Sequence, residues 1–289
     1  MTTNQASAIR AEQTSSVIAV QDLVVQYKRV KGGPLTAVDG VSFDVQPREI
    51  VGIVGESGSG KSTVGLVLAG FLAASTGTLS FDDVTIESWG DVGASGRDGV
   101  QMIFQDSATA LNPRMRISAC VAEAIAAGGT IRAEHLDQAA VYLERVGLGP
   151  EFARRKPREL SGGQRQRVAI ARALAARPRV LVCDESVSAL DVSARAKILN
   201  LLIRIRQEEG IAMVFISHDL AVVSQLVDRV LVMRKGEILE EGPVGRVIDS
   251  PQHPYTQELL AAIPRLERTP ASMHGTAPAS QIPQQGELK

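Results

Sequence analysis

The chain has 289 residues, 31 basic and 32 acidic side chains, a net charge of −1 and 44% apolar residues. That balance argues against a nucleic-acid-binding surface as the main role and leaves enough apolar mass for a sizeable core, as one large domain or two small ones. Two cysteines far apart, Cys120 and Cys183, give no disulfide framework and suit a reducing compartment; no run approaches the ~18 apolar residues that span a bilayer, and the N-terminus lacks a signal-peptide layout.

Residues 1–16 are small and polar, and disorder is predicted there. The β-branched stretch Ile18–Val25 reads as an edge strand, Lys28–Pro34 as a basic, Gly-rich loop, and Val41–Val45 alternates like a strand. Ile50–Val54 is a continuous apolar run, a buried strand, and a helix starts from Val64. Short strand-like pieces, Thr78–Phe81 and Val100–Phe104, flank a Gly-rich loop at 90–99. Residues 107–160 change character, with helices over Ala119–Ala127 and Ala133–Val146 and a charged link, Arg154–Glu159. Helix and strand then alternate: Gly163–Ala176, Val180–Cys183, Ser193–Glu209, Ala212–Ser217 and Leu220–Val227. Val230–Met233 and Glu237–Glu240 flank Lys235-Gly236, a hairpin signal. From Arg265 a flexible tail rich in Pro, Gln, Ala and Ser follows. The alternation implies an α/β fold, a mostly parallel sheet covered by helices, with an antiparallel N-terminal β part and the block from 107 as a helical insertion.

Between the strand at 50–54 and the helix after it stands Gly55-Glu56-Ser57-Gly58-Ser59-Gly60-Lys61-Ser62-Thr63, which fits G-x-x-x-x-G-K-[ST] in full. Its glycines let the backbone curl so that N–H groups face a phosphate, and the helix start adds its positive dipole end. Lys61 would reach the β- and γ-phosphates, and the Ser62 hydroxyl would ligate Mg²⁺. Downstream, the strand Val180-Leu181-Val182-Cys183 ends in Asp184-Glu185, where a sheet delivers side chains to a ligand crevice. Asp184 would hold the Mg²⁺ shell, and Glu185 could polarise an attacking water as general base. A second anion-binding helix start lies about a hundred residues beyond the first: Ser161 is a natural N-cap, and Gly162-Gly163 leave the helix tip bare.

Leu160-Ser161-Gly162-Gly163-Gln164, followed by Arg165-Gln166-Arg167-Val168-Ala169-Ile170-Ala171-Arg172-Ala173-Leu174, resembles the signature of ABC-type ATPases. The other motifs of that family stand in order: Gln105 matches the Q-loop, Ser188-Ala189-Leu190-Asp191 the D-loop, and His218 the switch histidine. Tyr27 is the best match to the aromatic that stacks on adenine. The resemblance covers about residues 17–263 and implies a P-loop NTPase core with a helical subdomain at about 107–175, a C-terminal extension at about 244–263 and a tail at 264–289. It also implies that two such domains face each other head to tail, each ATP lying between one chain's phosphate loop and the other's Ser161, Gly162, Gly163 and Gln164, with Asp191 also among the nucleotide-binding residues. Glu185, His218 and Gln105 would then carry catalysis, Gln105 also sensing the metal.

Two segments are similar to the ATP-binding subunits of oligopeptide, dipeptide and nickel importers: Phe104-Gln105-Asp106-Ser107 leading into Ala110-Leu111-Asn112-Pro113-Arg114-Met115, and Ser250-Pro251-Gln252-His253-Pro254-Tyr255-Thr256 with Glu258–Pro264. This implies a second ATPase subunit, a separate permease and, indirectly, a solute-binding protein as partners, at the cytoplasmic face of a bacterial-type membrane. The alternative is a soluble ATP-driven clamp on a macromolecular complex. Ser186 stands where many relatives have Pro, and Arg48 where Gly is common; with no cysteine after Cys183, the iron–sulfur cluster of some members is not expected.

Overall fold

The computed structural model describes residues 16–29, 33–82, 84–86, 99–105 and 110–262. The expectations for 1–15, most of the loop at 90–99, Asp106 and Ser107, and the tail from 264 fall outside these residues.

Two sheets organise the chain. The first is antiparallel, in the order β2 (Leu35–Val45), β1 (Ile18–Tyr27), β4 (Thr76–Phe81) and β5 (Val84–Thr85). Here β1 is paired on both sides, by β2 and β4, so the predicted edge strand is an inner one. The alternation of Ile18, Val20, Leu23 and Val25 marks a half-buried strand, and it carries no information on how many neighbours the strand has.

The second sheet has the order β10 (Glu237–Pro243), β9 (Arg229–Arg234), β3 (Ile50–Val54), β8 (Ala212–Ser217), β7 (Val180–Asp184) and β6 (Val100–Ile103). All its neighbours are parallel except β9 and β10, the expected hairpin. Lys235 and Gly236 both have positive φ (51° and 90°), the primed turn that matches the twist of a two-residue hairpin. Every residue of β3, β7 and β8 is buried, as strands covered on both faces require. Alternate residues serve two cores. Val51, Ile53, Val180, Val182, Val214 and Ile216 join the antiparallel sheet and α1 (Lys61–Leu68). Ile50, Val54, Leu181, Cys183, Met213 and Phe215 join the other helices.

Those helices are α2 (Ile117–Ile125), α3 (Ala133–Arg145), α4 (Gly162–Ala175), α5 (Val192–Glu209), α6 (Leu220–Val223), α7 (Val244–Asp249) and α8 (Pro254–Ala261). The helix predicted over Leu220–Val227 stops at Val223 and finishes in tighter turns, Leu226 N–H to Val223 O among them. Helices α2, α3 and α4 pack together as the expected helical unit, and α4 also reaches β6. Among the described residues no helix is long and apolar enough to cross a membrane.

A polar clamp joins the two sheets at the end away from the phosphate loop. Arg229 donates to both carboxylate oxygens of Glu49 (2.8 and 3.1 Å), to the Asp44 carbonyl in β2, and to Glu241. Burial works against its charge, but Glu49, Glu241 and Asp44 more than offset it and raise its pKa. Nearby, Arg48 has φ 63°, the left-handed region where glycine is free of penalty, which is the physical reason Gly is usual at this position. Arg229→Met should strand the Glu49 carboxylate and lower stability by about 1–3 kcal/mol, allowing for the partial exposure of Asp44 and Glu241; the shift in urea midpoint at constant slope measures it.

Candidate nucleotide site

The parallel strands end in one row. Register pairs Ile103 with Cys183, Asp184 with Ile216, and Val54 with Ser217. The residues just beyond these ends are therefore neighbours: Gln105 after β6, Glu185 after β7, His218 after β8 and Gly55 after β3. This is the carboxyl edge of an α/β sheet, where ligands bind.

Gly55–Thr63 curls above that edge. Gly55, Gly58 and Gly60 have φ of 153°, 79° and 105°. A Cβ at Gly55 would lie 2.0 Å from the Met233 carbonyl oxygen, and one at Gly60 2.4 Å from that of Ala37. The loop is thus pressed against β2 and the β9–β10 turn, where Gly236 N–H also donates to the Ser59 carbonyl. Lys61 is buried at its centre. Its ammonium donates to the carbonyls of Gly55 (2.8 Å) and Glu56 (2.7 Å) and to Ser59 Oγ (3.3 Å). Burial lowers its pKa, against the opposing pull of Glu185, Asp184 and Glu56. A buried cation held only by neutral acceptors is an anion site in waiting.

The Ser62 hydroxyl donates to Asp184 Oδ1 at 2.9 Å. Burial pushes the Asp184 pKa up, Ser62 and Lys61 pull it down, and Glu185 adds to the rise. A hydroxyl beside an under-compensated carboxylate is the oxygen donor set that Mg²⁺ takes. Among the described residues no cluster of three His, Cys, Asp or Glu could hold a metal alone, so the ion fits here only together with phosphate oxygens.

Glu185 is held at both carboxylate oxygens. Gln105 Nε2 donates to Oε2 at 2.9 Å, and His218 Nδ1 lies 3.1 Å from Oε1. Its backbone has φ 42°, a left-handed conformation that costs a non-glycine residue about 1–2 kcal/mol. The Glu185 N–H donates to Ile216 O, and the Ser188 N–H and hydroxyl donate to Glu185 O, which fix the turn. Tyr27 stands at the far end of the loop, partly exposed, its hydroxyl 3.4 Å from Thr63 Oγ1.

Ser161–Gln164 form a second cluster. Ser161 caps α4, its Oγ accepting from Gln164 N–H, while Gln164 Oε1 accepts from Ser161 N–H. A Cβ at Gly163 would meet the Ala194 methyl at 3.3 Å, so the bare tip also lets α4 approach α5. Asp191 caps α5, Oδ1 accepting from Ala194 N–H at 2.8 Å. Both helix tips open on a cleft of about 510 Å³ lined also by Gly147, Phe152, Ala189 and Lys197, with no contribution from Gly55–Thr63. Sequence reasoning gave no site role to Tyr255, whose hydroxyl accepts the Glu56 N–H at 3.1 Å from 199 positions away. The motif around Tyr255 carries a family resemblance, yet nothing in its local pattern points to the phosphate loop.

A phosphate-gripping loop, a hydroxyl–carboxylate pair and a poised carboxylate on one sheet edge define a P-loop ATPase. The family model for ABC transporters matches residues 38–188, and that for the oligopeptide/dipeptide transporter C-terminal region matches 239–287. A Brucella abortus protein bearing the provisional name of peptide import ATP-binding protein is 44% identical over 276 residues, covering 93% of this chain and 83% of its own. The glutathione import ATP-binding protein GsiA of Escherichia coli K12 is 46% identical over 261 residues, 87% of this chain; the match spans 42% of GsiA. Among solved structures, the dimeric ABC cassette MJ0796 superposes with a TM-score of 0.70 at 29% identity, over 78% of this chain and 98% of that one. The same cassette in a post-hydrolysis dimer with ADP and Pi gives 0.69. The chain belongs to the ABC transporter family.

Because burial raises the Asp184 pKa above its unfolded value, the ionised carboxylate costs the ligand-free fold stability once pH exceeds that pKa. Asp184→Asn should therefore raise the Tm of the nucleotide-free protein at pH 7 by a few degrees, while the further rise given by MgATP shrinks to that given by ATP without metal. Differential scanning fluorimetry reads both.

Proposed function

We propose that the chain is the ATP-hydrolysing subunit of a peptide-type importer, and that two such subunits close head to tail on shared ATP. The observation that carries this is that the bare α4 tip with Ser161 opens on a cleft to which Gly55–Thr63 contribute nothing, so on this reading one chain offers half of each of two sites.

In each site the phosphates would replace the Gly55 and Glu56 carbonyls as partners of Lys61, restoring the compensation its burial withholds. Ser62 and Asp184 would hold Mg²⁺, which supplies neutralisation of charge on the β- and γ-phosphates. Tyr27 would stack on the adenine. The α4 tip of the second subunit, with its Ser161 hydroxyl and Gly163 N–H, would close over the γ-phosphate, with Gly162 and Gln164 shaping the tip and Asp191 ordering the junction. Glu185 would orient water in line with the γ-phosphorus and accept its proton, releasing ADP and phosphate. Gln105 and His218 each contact one Glu185 oxygen and would hold the carboxylate in place, leaving its remaining lone pairs to accept from the water.

A cleft of about 800 Å³ between the end of α1, β6, α2 and α4 is a docking site for a permease loop on this reading. Phe71 is 62% exposed there and its ring lies tilted against that of Phe104, centroids 5.3 Å apart, next to Gln105, which would link the permease contact to the catalytic carboxylate. Binding to the permease would hold the subunit at the cytoplasmic membrane face. The relatives' names and the match to a transporter C-terminal region support import of peptides or similar small solutes over a soluble clamp.

Glu185→Gln should keep ATP binding and lose at least about 100-fold in turnover, the worth of a general base; near-normal turnover would remove Glu185 from that role. Reconstitution with the copurified permease and binding protein tests the transport reading. Peptides should stimulate ATPase activity, and a panel in which no solute does so would contradict it.

A further inference from the structure

We propose that Tyr255 is a positioning residue for the phosphate-binding loop, its hydroxyl fixing the Gly55–Glu56 peptide so that nucleotide affinity depends on that one contact. One peptide group is held at both ends. The N–H of the Gly55–Glu56 peptide donates to Tyr255 Oη at 3.1 Å, and its carbonyl accepts from Lys61 Nζ at 2.8 Å. The flanking Gly55 has φ 153°, so the residue itself restrains this peptide little. Once Lys61 turns to a phosphate, the Tyr255 hydroxyl is what remains to fix its direction.

The phenol is built into place. Its side chain is buried, and the Arg234 guanidinium lies 4.4 Å from its ring centroid. Arg234 directly follows Met233, whose carbonyl forms the wall behind Gly55. His253 Nδ1 accepts the Tyr255 N–H at 3.1 Å, capping α8. Glu240 in β10 accepts the N–H groups of Gln252 (2.8 Å) and His253 (3.0 Å), anchoring the approach to the helix. Burial raises the phenol's pKa. The Tyr255 hydroxyl, which also faces the Glu56 side chain, thus ties the segment to the loop, and the contacts around the ring set where that hydroxyl stands.

The proposal rests on Gly55–Thr63 being the phosphate site, and the experiment separates the two. MgATP affinity is measured by calorimetry on the full chain and on Tyr255→Phe, Thr256→Val and Lys61→Ala, with the nucleotide-free Tm of each. Tyr255→Phe keeps the ring and its Arg234 contact; Thr256→Val alters the same helix at a residue that lies against Glu240 instead. Tyr255→Phe should bind MgATP about five- to tenfold more weakly, the worth of one hydrogen bond, with Tm almost unchanged. In the assembled transporter the loss should appear as a raised KM with kcat kept. Thr256→Val should bind as wild type, and Lys61→Ala should lose binding. Wild-type affinity in Tyr255→Phe beside lost binding in Lys61→Ala overturns this proposal alone. Equal weakening in Thr256→Val and Tyr255→Phe, tracking Tm, also overturns it, since the effect would then be general destabilisation. Wild-type affinity in Lys61→Ala would sink the underlying reading and this inference with it.

Discussion

The structure depends on one constraint: the parallel strands β6, β7, β8 and β3, the last three buried along their whole length, end level at one edge of the sheet. Parallel ladders between β6, β7, β8 and β3 hold the register, and a slip by one residue would swap the side chains that fill the two cores. The consequence is chemical. Gln105, Glu185, His218 and Gly55 come from positions spread over more than half the chain, and the sheet sets them side by side at its carboxyl edge. The hydrogen bonds from Gln105 and His218 to Glu185 follow from that alignment.

The site buries charge that the protein's own groups compensate only in part. Lys61 loses water without gaining a carboxylate in contact, and Asp184 loses water with only a serine hydroxyl to compensate. Both charges are held at a cost that a polyphosphate and a divalent cation would relieve together. Glu185 carries backbone strain at the same place. The stability for this comes from elsewhere, from the continuous apolar strands and from clamps such as Arg229 with Glu49 at the opposite end of the sheet.

Much of this was legible in the sequence because it is local. The strand–loop–helix around Gly55–Thr63, the carboxylates ending β7, the Ser161 cap and the Lys235-Gly236 turn each follow from residues within one element. Strand pairing was not legible: β1 has an ordinary half-buried pattern, and only the long-range register with β2 and β4 makes it an inner strand. Nor was the tie from Tyr255 to Glu56, which joins residues 199 positions apart through a single hydroxyl. The family resemblance supplied the names of the scattered motif residues, and the register supplied the reason three of them meet. Ser161 and Asp191, by contrast, stay in a cleft of their own.

On the proposed reading that separation makes the chain half of a machine: the bare helix tip and the lysine-centred loop would bind the same kind of group from opposite sides, and a second subunit would bring them onto one nucleotide. The most direct measurement is the solution mass of the hydrolysis-blocked Glu185→Gln protein by light scattering, alone and with its cognate ATPase subunit, with and without saturating MgATP. The account predicts that MgATP doubles the mass and that removing the nucleotide reverses it. A mass that stays at one subunit in MgATP, even beside the cognate partner, would contradict it.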